Sequence, residues 1–426
     1  MMGIDRSRLT SIIGGSAGNL VEWFDFYAYA ALTIYFAPVF FPHGSSTEQL
    51  KDSAAILLLG FLMRPIGAWI MGLYGDRKGR KAGLAVSVAL MCAGSLMIAA
   101  APTYEQAGWL APATLLLARM LQGLSVGGEY GTSATYLSEM ATRENRGFWA
   151  SFQYVTLVGG QLCALGAVLV LQAFLTEAEL EAWGWRIPFA IGAVLALLVY
   201  VLRRRLAETA SFEAMSEEDR KRSSALRLLR EHPRTFLLVA AITAGGSLAF
   251  YAYTTYMQKF LVNTSGFDRQ TATQVMTAAL FVYMLAQPLF GHLSDRFGRK
   301  PMLLIFGVGG VVATVPAYSA IASASSPIIA FALIVGLLMI LSTYSSISGL
   351  IKAELFPPHI RTLGVALPYA VGNALFGGSA EYVALLFKGG GMEAGFYWYV
   401  SAIVGVALIC FILLPDTGKT SKIAED

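Results

Sequence analysis

The sequence predicts an all-α membrane protein with twelve transmembrane helices in two pseudo-symmetric six-helix halves. Three observations predict this fold class: the composition, the length of the apolar runs and an internal repeat. Of the 426 residues, 56% are hydrophobic and only 14% are charged, whereas soluble domains are about 25% charged. The deficit of charge extends along the whole chain, which excludes a soluble protein with a single anchor.

Twelve apolar runs are long enough to cross a bilayer as helices, since a spanning helix needs about 20 residues. They lie near 13–40, 52–74, 82–101, 109–138, 147–174, 185–205, 235–262, 270–293, 301–322, 327–351, 362–387 and 395–415. With one exception the loops between them are short. The exception is the loop at 203–234. It carries nine basic and six acidic residues and is expected to be a polar linker.

A basic loop motif occurs twice and divides the chain. GLYGDRKGRK at 72–81 follows the second run, and GHLSDRFGRK at 291–300 follows the eighth run. Two halves with the same orientation explain this spacing, an arrangement found in alternating-access transporters. The predicted parts are a first half at 1–202, a cytoplasmic linker at 203–234 and a second half at 235–426.

The distribution of basic residues predicts the orientation. With the N-terminus in the cytoplasm, 24 of the 31 Lys and Arg residues fall in cytoplasmic segments and five fall on the outer side. Cytoplasmic loops of membrane proteins carry such an excess. Both termini are therefore expected in the cytoplasm.

Charged residues lie inside several predicted spans. Glu22 and Asp25 lie in the first, Arg64 in the second and Arg119 in the fourth. A charge at the bilayer centre costs at least about 2.5–3.5 kcal/mol, so such side chains face the bundle interior and are paired or functional. Asp25, Arg64 and Arg119 share a similar depth near the middle, and Glu22 lies nearer the cytoplasm.

Two interpretations of this cluster remain open. In one, the charges form a structural ion-pair network within the first half. In the other, Arg64 and Arg119 bind a substrate carboxylate, because the planar guanidinium fork accepts a carboxylate through two hydrogen bonds. Asp25 and Glu22 are then predicted to carry the coupling proton. Glu129, on the same face as Arg119, is either a further proton site or a partner in helix packing.

Neutral polar residues inside the spans complete the candidate site. They suit the far end of a small polar substrate, although hydrogen bonding between helices explains them equally well. The predicted substrate-binding residues of this kind are Tyr29, Gln122, Tyr251, Thr255, Gln258 and Asn373. Lys259 lies near the outer end of the seventh run, where it either attracts anions or snorkels to the interface.

The repeated G-x-x-x-D-R-x-G-R-K loop resembles the signature of the major facilitator superfamily. A narrower set of motifs resembles its metabolite:proton symporter branch, whose members carry citrate, shikimate, proline, betaine and dicarboxylates. These motifs are GNLVEWFDFY, GFLMRPIGAW, LQGLSVGGEYGTSATYLSE and WGWRIPFAIGAVLA. The segments SFQYVTLVGGQL, TTYMQKFLVNT, SISGLIKAELFP and NALFGGSAEYVALL are similar to dicarboxylate carriers of that branch.

This resemblance implies the major facilitator fold and a proton symporter for a small dicarboxylate, with α-ketoglutarate as the first candidate. Protons are the expected coupling ion, and no cofactor or metal is expected. Symport of citrate, shikimate or proline/betaine and uncoupled facilitation are the alternatives within this class, and a membrane sensor or channel is the alternative outside it. An enzyme is not expected, because the sequence shows no nucleotide loop, metal cluster or nucleophile triad.

The resemblance also implies a location and partners. The chain is expected as a monomer in the bacterial inner membrane, with lipid and a small anionic metabolite as partners and no nucleic acid. In the superfamily, the repeated loops bridge to neighbouring spans and hold the cytoplasmic side closed. The gate implied here consists of Asp76, Arg77, Arg80, Glu139, Asp295, Arg296, Arg299 and Glu354. The alternative is that these charges only set the orientation.

Overall fold

The computed structural model describes residues 6–78, 80–141, 143–203, 224–357 and 360–423. Within these ranges the structure describes the backbone but not the side chains of residues 6–18, 72–73, 75–78, 80–84, 128–129, 132, 136, 139–140 and 202–203. Twelve long helices account for most of the described chain. They are α1 (Arg6–Phe40), α2 (Ser46–Lys78), α3 (Arg80–Ala99), α4 (Leu110–Met140), α5 (Arg146–Phe174), α6 (Arg186–Arg203), α7 (Pro233–Asn263), α8 (Arg269–Phe297), α9 (Arg299–Ala322), α10 (Pro327–Glu354), α11 (Arg361–Gly389) and α12 (Glu393–Leu413).

Each predicted run corresponds to one of these helices, which confirms the predicted fold class. Nine helices of the described chain are long and apolar enough to cross a membrane. A tenth span is formed by α6 and the preceding helical segment Glu177–Gly184, which meet at an angle of 45°. The remaining two are α1, which is 35 residues long, and α3, whose described apolar part is Ala85–Ala99. The chain is therefore a multi-pass membrane protein.

Local sequence signals define several helix ends. Pro233 and Pro327 are the first residues of α7 and α10, where the missing N–H of proline is not needed. Asp268 caps α8. Hydrogen bonds from the side-chain hydroxyl and the backbone N–H of Thr271 lower the pKa of Asp268 below its ordinary value. Gly298 alone joins α8 to α9 with φ 96°, a conformation that favours glycine.

Glycines bring α2 and α4 into backbone contact. A Cβ atom added to Gly123 would lie 2.0 Å from the carbonyl oxygen of Gly60, and one added to Gly127 would lie 2.1 Å from the carbonyl oxygen of Arg64. Small residues permit such close approach between membrane helices. This seam fixes the position of Arg64 relative to α4, which also carries Arg119.

Two wide π-type turns interrupt helices of the second half at the level of the polar interior. One spans Ala252–Tyr256 in α7 and the other spans Asn373–Gly377 in α11, and α7 packs against this turn of α11. Such turns are frequent at functional sites. They place Tyr251, Thr255 and Asn373 beside the first half.

Candidate functional site

A buried chain of hydrogen bonds links a cation to a carboxylate between α4 and α1. Arg119 Nη1 donates to Gln122 Oε1 at 2.6 Å, and Gln122 Nε2 donates to Asp25 Oδ2. Arginine only donates and an ionised carboxylate only accepts, so the two partners fix the orientation of the Gln122 amide. Arg119 and Asp25 are thus joined through Gln122 and not by a direct hydrogen bond.

Both ends of this chain keep an unused polar atom. Asp25 is 1% exposed and Arg119 is 3% exposed, yet Asp25 Oδ1 and Arg119 Nε have no hydrogen-bond partner among the residues that the structure describes. Buried polar atoms without a partner are rare in folded proteins. The interior therefore has unused capacity for polar atoms of a bound molecule or of water.

Arg64 is held by aromatic rings. Its guanidinium carbon lies 3.8 Å from the ring centroid of Phe61 and 4.9 Å from that of Phe26. Arg119 also contacts the Phe26 ring, at 5.1 Å. Ring faces attract a cation without neutralising it, and Arg64 Nη1 has no hydrogen-bond partner in the described part of the chain. Both predicted arginines therefore keep positive charge that an anion can use.

A small cavity lies between these groups. Its lining includes Phe26, Phe61, Arg64, Arg119 and Gln122. The cavity volume is about 10 Å³, which is room for about one water molecule. A dicarboxylate enters this space only if side chains or helices move, so the structure is closed around the candidate site.

The other predicted residues of α1 contact neighbouring helices. Glu22 Oε1 accepts a hydrogen bond of 2.8 Å from Ser125 of α4. The hydroxyl of Tyr29 lies 3.0 Å from the backbone oxygen of Ser53 in α2, while its ring lies 4.5 Å from the guanidinium carbon of Arg119. Tyr29 thus faces the site with its ring. Glu129 lies outside the described side chains.

The second half contributes a buried asparagine beside Tyr251. Asn373 is fully buried, and among the described residues neither Oδ1 nor Nδ2 has a hydrogen-bond partner within the usual geometric limits. The ring of Tyr251 lies 5.3 Å from the ring of Phe61 and 6.2 Å from that of Phe26, and its hydroxyl lies near the polar groups of Arg64 and Asn373. Tyr251 therefore reaches from the second half to the arginines of the first.

A second small cavity lies between the halves. Its polar lining is Tyr27, Gln161, Thr254, Thr255 and Gln258. The Tyr27 hydroxyl and Gln161 Oε1 are buried and find no hydrogen-bond partner among the described side chains and backbone, whereas Gln258 Nε2 donates to Thr273 at 2.9 Å. Tyr27 and Gln161 are not among the site residues predicted from the sequence. The available signal was their polarity within the quoted apolar motifs.

The two predicted readings of Lys259 are both wrong. Lys259 is 1% exposed, and its Nζ lies 2.5 Å from Glu381 Oε1. The pair joins α7 to α11. Because the carboxylate neutralises the ammonium inside the protein, Lys259 neither snorkels to the interface nor attracts anions as a free charge.

At the end predicted to be cytoplasmic, Asp295 connects the halves. Its Oδ1 accepts from the backbone N–H of Gly147 at 2.7 Å and its Oδ2 accepts from that of Phe148 at 2.9 Å, both at the start of α5. A helix N-terminus offers free N–H groups and favours negative charge. This contact between α8 and α5, called the inner contact below, holds the two halves together.

The other gate residues divide into three groups. Arg299 Nη1 lies 2.8 Å from Asp295 Oδ1, and Arg299 Nε lies 3.8 Å from Glu354 Oε1. Arg296 is exposed and contacts the ring of Phe297 at 5.5 Å, so the prediction that it bridges to a neighbouring span is wrong. The predicted counterparts of the first half lie outside the described side chains; they are Asp76, Arg77, Arg80 and Glu139.

A second contact between the halves lies at the opposite end. Arg269 Nη1, at the start of α8, lies 2.6 Å from Glu177 and 3.1 Å from Glu181. Its guanidinium carbon is also 5.1 Å from the ring centroid of Tyr35 in α1. This outer contact, together with the inner contact, shows that the halves touch at both ends of the bundle.

Two six-helix halves around a buried, charged interior, in contact at both ends, define a membrane transporter. Two solved structures share this fold. A D-xylose–proton symporter superposes with a TM-score of 0.78 at 19% identity over 97% of this chain and 99% of that chain. The major facilitator superfamily proton:xylose symporter XylE bound to 6-bromo-6-deoxy-D-glucose superposes with a TM-score of 0.81 at 17% identity over 98% of both chains.

The chain belongs to the sugar (and other) transporter family, whose profile matches residues 11–225 and 206–422. It is 54% identical to the α-ketoglutarate permease of Escherichia coli strain K12, over 98% of this chain and 96% of the relative. It is 31% identical to the citrate-proton symporter of Klebsiella pneumoniae, over 95% of this chain and 92% of the relative. These relatives are transporters, so the expectation that the chain is not an enzyme is confirmed.

Proposed function

We propose that the chain is a proton-coupled symporter that imports a small dicarboxylate, with α-ketoglutarate as its first substrate, by alternating access. Protons are the only coupling ion in this proposal, and no further cofactor takes part. The relative at 54% identity is named for α-ketoglutarate, and another relative is named as a citrate-proton symporter. The molecules in these two names are a dicarboxylate and a tricarboxylate, so they favour an anionic substrate over a zwitterion.

The observation that carries this proposal is that two buried arginines line one small cavity and each keeps a polar atom without a hydrogen-bond partner among the described residues. Arg64 Nη1 and Arg119 Nε belong to the first half, and the amide of Asn373 belongs to the second. Guanidinium groups bind carboxylates with charge-assisted hydrogen bonds. A substrate carboxylate placed at the small cavity satisfies the arginines, while Tyr251 and Asn373 are positioned for the remaining polar atoms.

Coupling follows from the link through Gln122. In the empty protein, Gln122 carries the influence of Arg119 to Asp25 through two hydrogen bonds. A nearby cation favours the ionised form of a carboxylate, and desolvation favours the neutral form. A substrate carboxylate that binds Arg119 offsets its charge, so Asp25 then takes up a proton more readily. Glu22 and Glu129 are the further candidates for the same role.

Transport then requires the inner and outer contacts to break in turn. Arg269 at the outer end and Asp295, Arg299 and Glu354 at the inner end are the contacts that open in this scheme. We place the chain as a monomer in the bacterial inner membrane with both termini in the cytoplasm, with halves at 1–202 and 235–426 joined by the linker at 203–234.

The first test is uptake of labelled α-ketoglutarate by the purified full chain in liposomes, with and without an acid-outside pH gradient. Unlabelled succinate, citrate, shikimate and proline are added separately as competitors. The expected result is accumulation that requires the gradient and is inhibited only by close dicarboxylates.

Other outcomes select the alternatives. Equilibration without accumulation under a gradient indicates an uncoupled facilitator. Absence of α-ketoglutarate uptake together with transport of citrate, shikimate or proline overturns the proposed substrate and leaves the fold unchanged. Comparing uptake at zero and at inside-negative potential also gives the stoichiometry, because the potential contributes about 2.3 kcal/mol per charge per 100 mV.

A further inference from the structure

Lys352 is a buried cation of α10 that lies outside the candidate site described above. It is 0% exposed. Its Nζ donates to the hydroxyl of Ser348 at 2.8 Å and to that of Tyr130 at 3.2 Å. Both partners are neutral, and none of its contacts in the described chain is a carboxylate. A buried ammonium without an anion is unfavourable, so this position calls for an explanation.

Tyrosine rings form the rest of its surroundings. Nζ lies 4.6 Å from the ring centroid of Tyr369, 5.3 Å from that of Tyr130 and 5.9 Å from that of Tyr344. Ring faces and hydroxyls stabilise the ammonium but leave its charge uncompensated. An ammonium has three N–H donors, and a carboxylate oxygen can replace a neutral hydroxyl at any of them with a gain in electrostatic attraction.

This tyrosine cage adjoins the arginine cavity. Tyr130 follows Gly127 by three residues of α4, about 4.5 Å along the helix axis, and the backbone of Gly127 touches the carbonyl of Arg64. Arg64 is also among the electrostatic neighbours of Tyr369. Lys352 therefore lies about one helical turn beyond the backbone of Arg64, on the side of the inner contact.

The cage is also a junction of the two halves. Tyr130 comes from the first half and stacks on Tyr369 of the second half with ring centroids 3.4 Å apart. Lys352 thus belongs to the second half and both arginines belong to the first, and all three face the same interior. A ligand with two separated negative groups can pair with a cation of each half at once, whereas a ligand with one such group cannot.

We propose that Lys352 binds the second carboxylate of the substrate while Arg64 and Arg119 bind the first, which makes Lys352 the residue that selects dicarboxylates over monocarboxylates. This inference rests on the proposed function. The carboxylate replaces the Tyr130 hydroxyl at Nζ, which removes one of the contacts between the halves. Substrate binding and the release of the Lys352–Tyr130 hydrogen bond between the halves are then parts of the same event.

The test compares two ligands that differ only at the distal group. α-Ketoglutarate has a carboxylate there, and 2-oxopentanoate has a methyl group. Affinities of both are measured as inhibition of labelled α-ketoglutarate uptake into liposomes by wild type, Lys352→Gln and Lys352→Met. Lys51→Gln is the matched control, since Lys51 is a partly exposed lysine at the start of α2. The melting temperature of each variant in detergent is recorded to show that the variants are folded.

The expected result is that both Lys352 variants lose affinity for α-ketoglutarate by about tenfold or more, as for loss of a charged hydrogen bond, with affinity for 2-oxopentanoate unchanged. If the Lys352 variants leave the ratio of the two affinities unchanged, the inference is overturned and the lysine has a structural role. If wild type itself does not prefer α-ketoglutarate over 2-oxopentanoate, the proposed dicarboxylate substrate fails instead.

Discussion

Arg119 combines three tasks that its guanidinium geometry allows. One nitrogen binds Gln122, the planar face contacts the rings of Tyr29 and Phe26, and Nε stays without a hydrogen-bond partner. A lysine ammonium is a point charge without a planar fork. It cannot keep the bond to Gln122, stack on the rings and present a second donor in the same plane.

The first prediction concerns Arg119→Lys. We expect kcat/KM for α-ketoglutarate uptake to fall about 10- to 100-fold, because the loss of charge-assisted hydrogen bonds costs about 1.5–3 kcal/mol. The measurement is initial uptake into liposomes over a range of concentrations. Arg227→Lys is the matched control, as Arg227 lies on an exposed short helix with a side chain that is 45% exposed. Unchanged uptake by Arg119→Lys would contradict a binding role for the fork.

The second prediction concerns Asp25→Asn, which keeps the size of the side chain and an acceptor for Gln122 but removes the ionisable group. We expect loss of accumulation driven by a pH gradient, while exchange of labelled for unlabelled substrate across the membrane continues. The two assays are run on the same liposomes, with Asp52→Asn, at an exposed position of α2, as control. Full gradient-driven accumulation would remove Asp25 from the coupling step.

The sequence predicted least well which side chains of separate helices contact each other in the site. The depth of Asp25, Arg64 and Arg119 followed from their positions in the spans, and the structure brings Asp25 and Arg119 into one network. The intermediary Gln122 and the pair Lys259–Glu381 depend on how separate helices rotate against each other. Periodicity within one helix carries no information about that rotation.

At the scale of elements, hydropathy was sufficient to locate all twelve helices, since crossing a bilayer requires long apolar runs. It did not locate the wide turns Ala252–Tyr256 and Asn373–Gly377. The first turn contains neither a proline nor a glycine, and the second contains Gly377. Glycine does not identify such turns by itself, because Gly123 lies within the regular helix α4.

The third prediction concerns the seam between α2 and α4. Gly127→Ala places a methyl group where a Cβ would lie 2.1 Å from the carbonyl oxygen of Arg64, so the helices must separate. Overpacking of this kind costs about 1–3 kcal/mol, and the melting temperature in detergent should fall. Uptake should fall as well, because the displacement moves Arg64 relative to Arg119.

Gly336→Ala is the matched control for that substitution. Gly336 lies on an exposed face of α10, and a Cβ added there meets no atom within 4 Å. Replacing glycine by alanine inside an uncrowded helix stabilises it by about 0.5–1 kcal/mol. A melting temperature of Gly127→Ala equal to or above that of Gly336→Ala would show that the seam is not close-packed.

At the scale of the whole molecule, the two contacts between the halves differ in strength. The outer contact is a solvent-accessible ion pair, since the side chains of Arg269 and Glu177 are 32% and 66% exposed. Such pairs contribute about 0.2–1 kcal/mol. The inner contact is buried: Asp295 is 4% exposed at its side chain and binds two backbone N–H groups and Arg299. Removing one partner of a buried charge network costs about 3–5 kcal/mol.

The last prediction follows from that difference. A contact biases an equilibrium between conformations only by its differential free energy. Arg269→Gln should therefore change the ratio of outward-open to closed molecules by less than about fivefold, whereas Asp295→Ala should change the ratio of inward-open to closed molecules by more than about a hundredfold. Electron–electron distance measurements between spin labels at both ends of the bundle distinguish these outcomes.

The labels are placed at exposed positions on opposite halves, after replacement of the three native cysteines by serine. Ser46 and Gln270 report on the outer end, and Glu144 and His292 report on the inner end. We expect a long-distance population at the inner pair in Asp295→Ala and nearly unchanged distances at the outer pair in Arg269→Gln. A larger response of the outer pair to Arg269→Gln than of the inner pair to Asp295→Ala would mean that the exposed ion pair, and not the buried aspartate at the start of α5, controls which side opens.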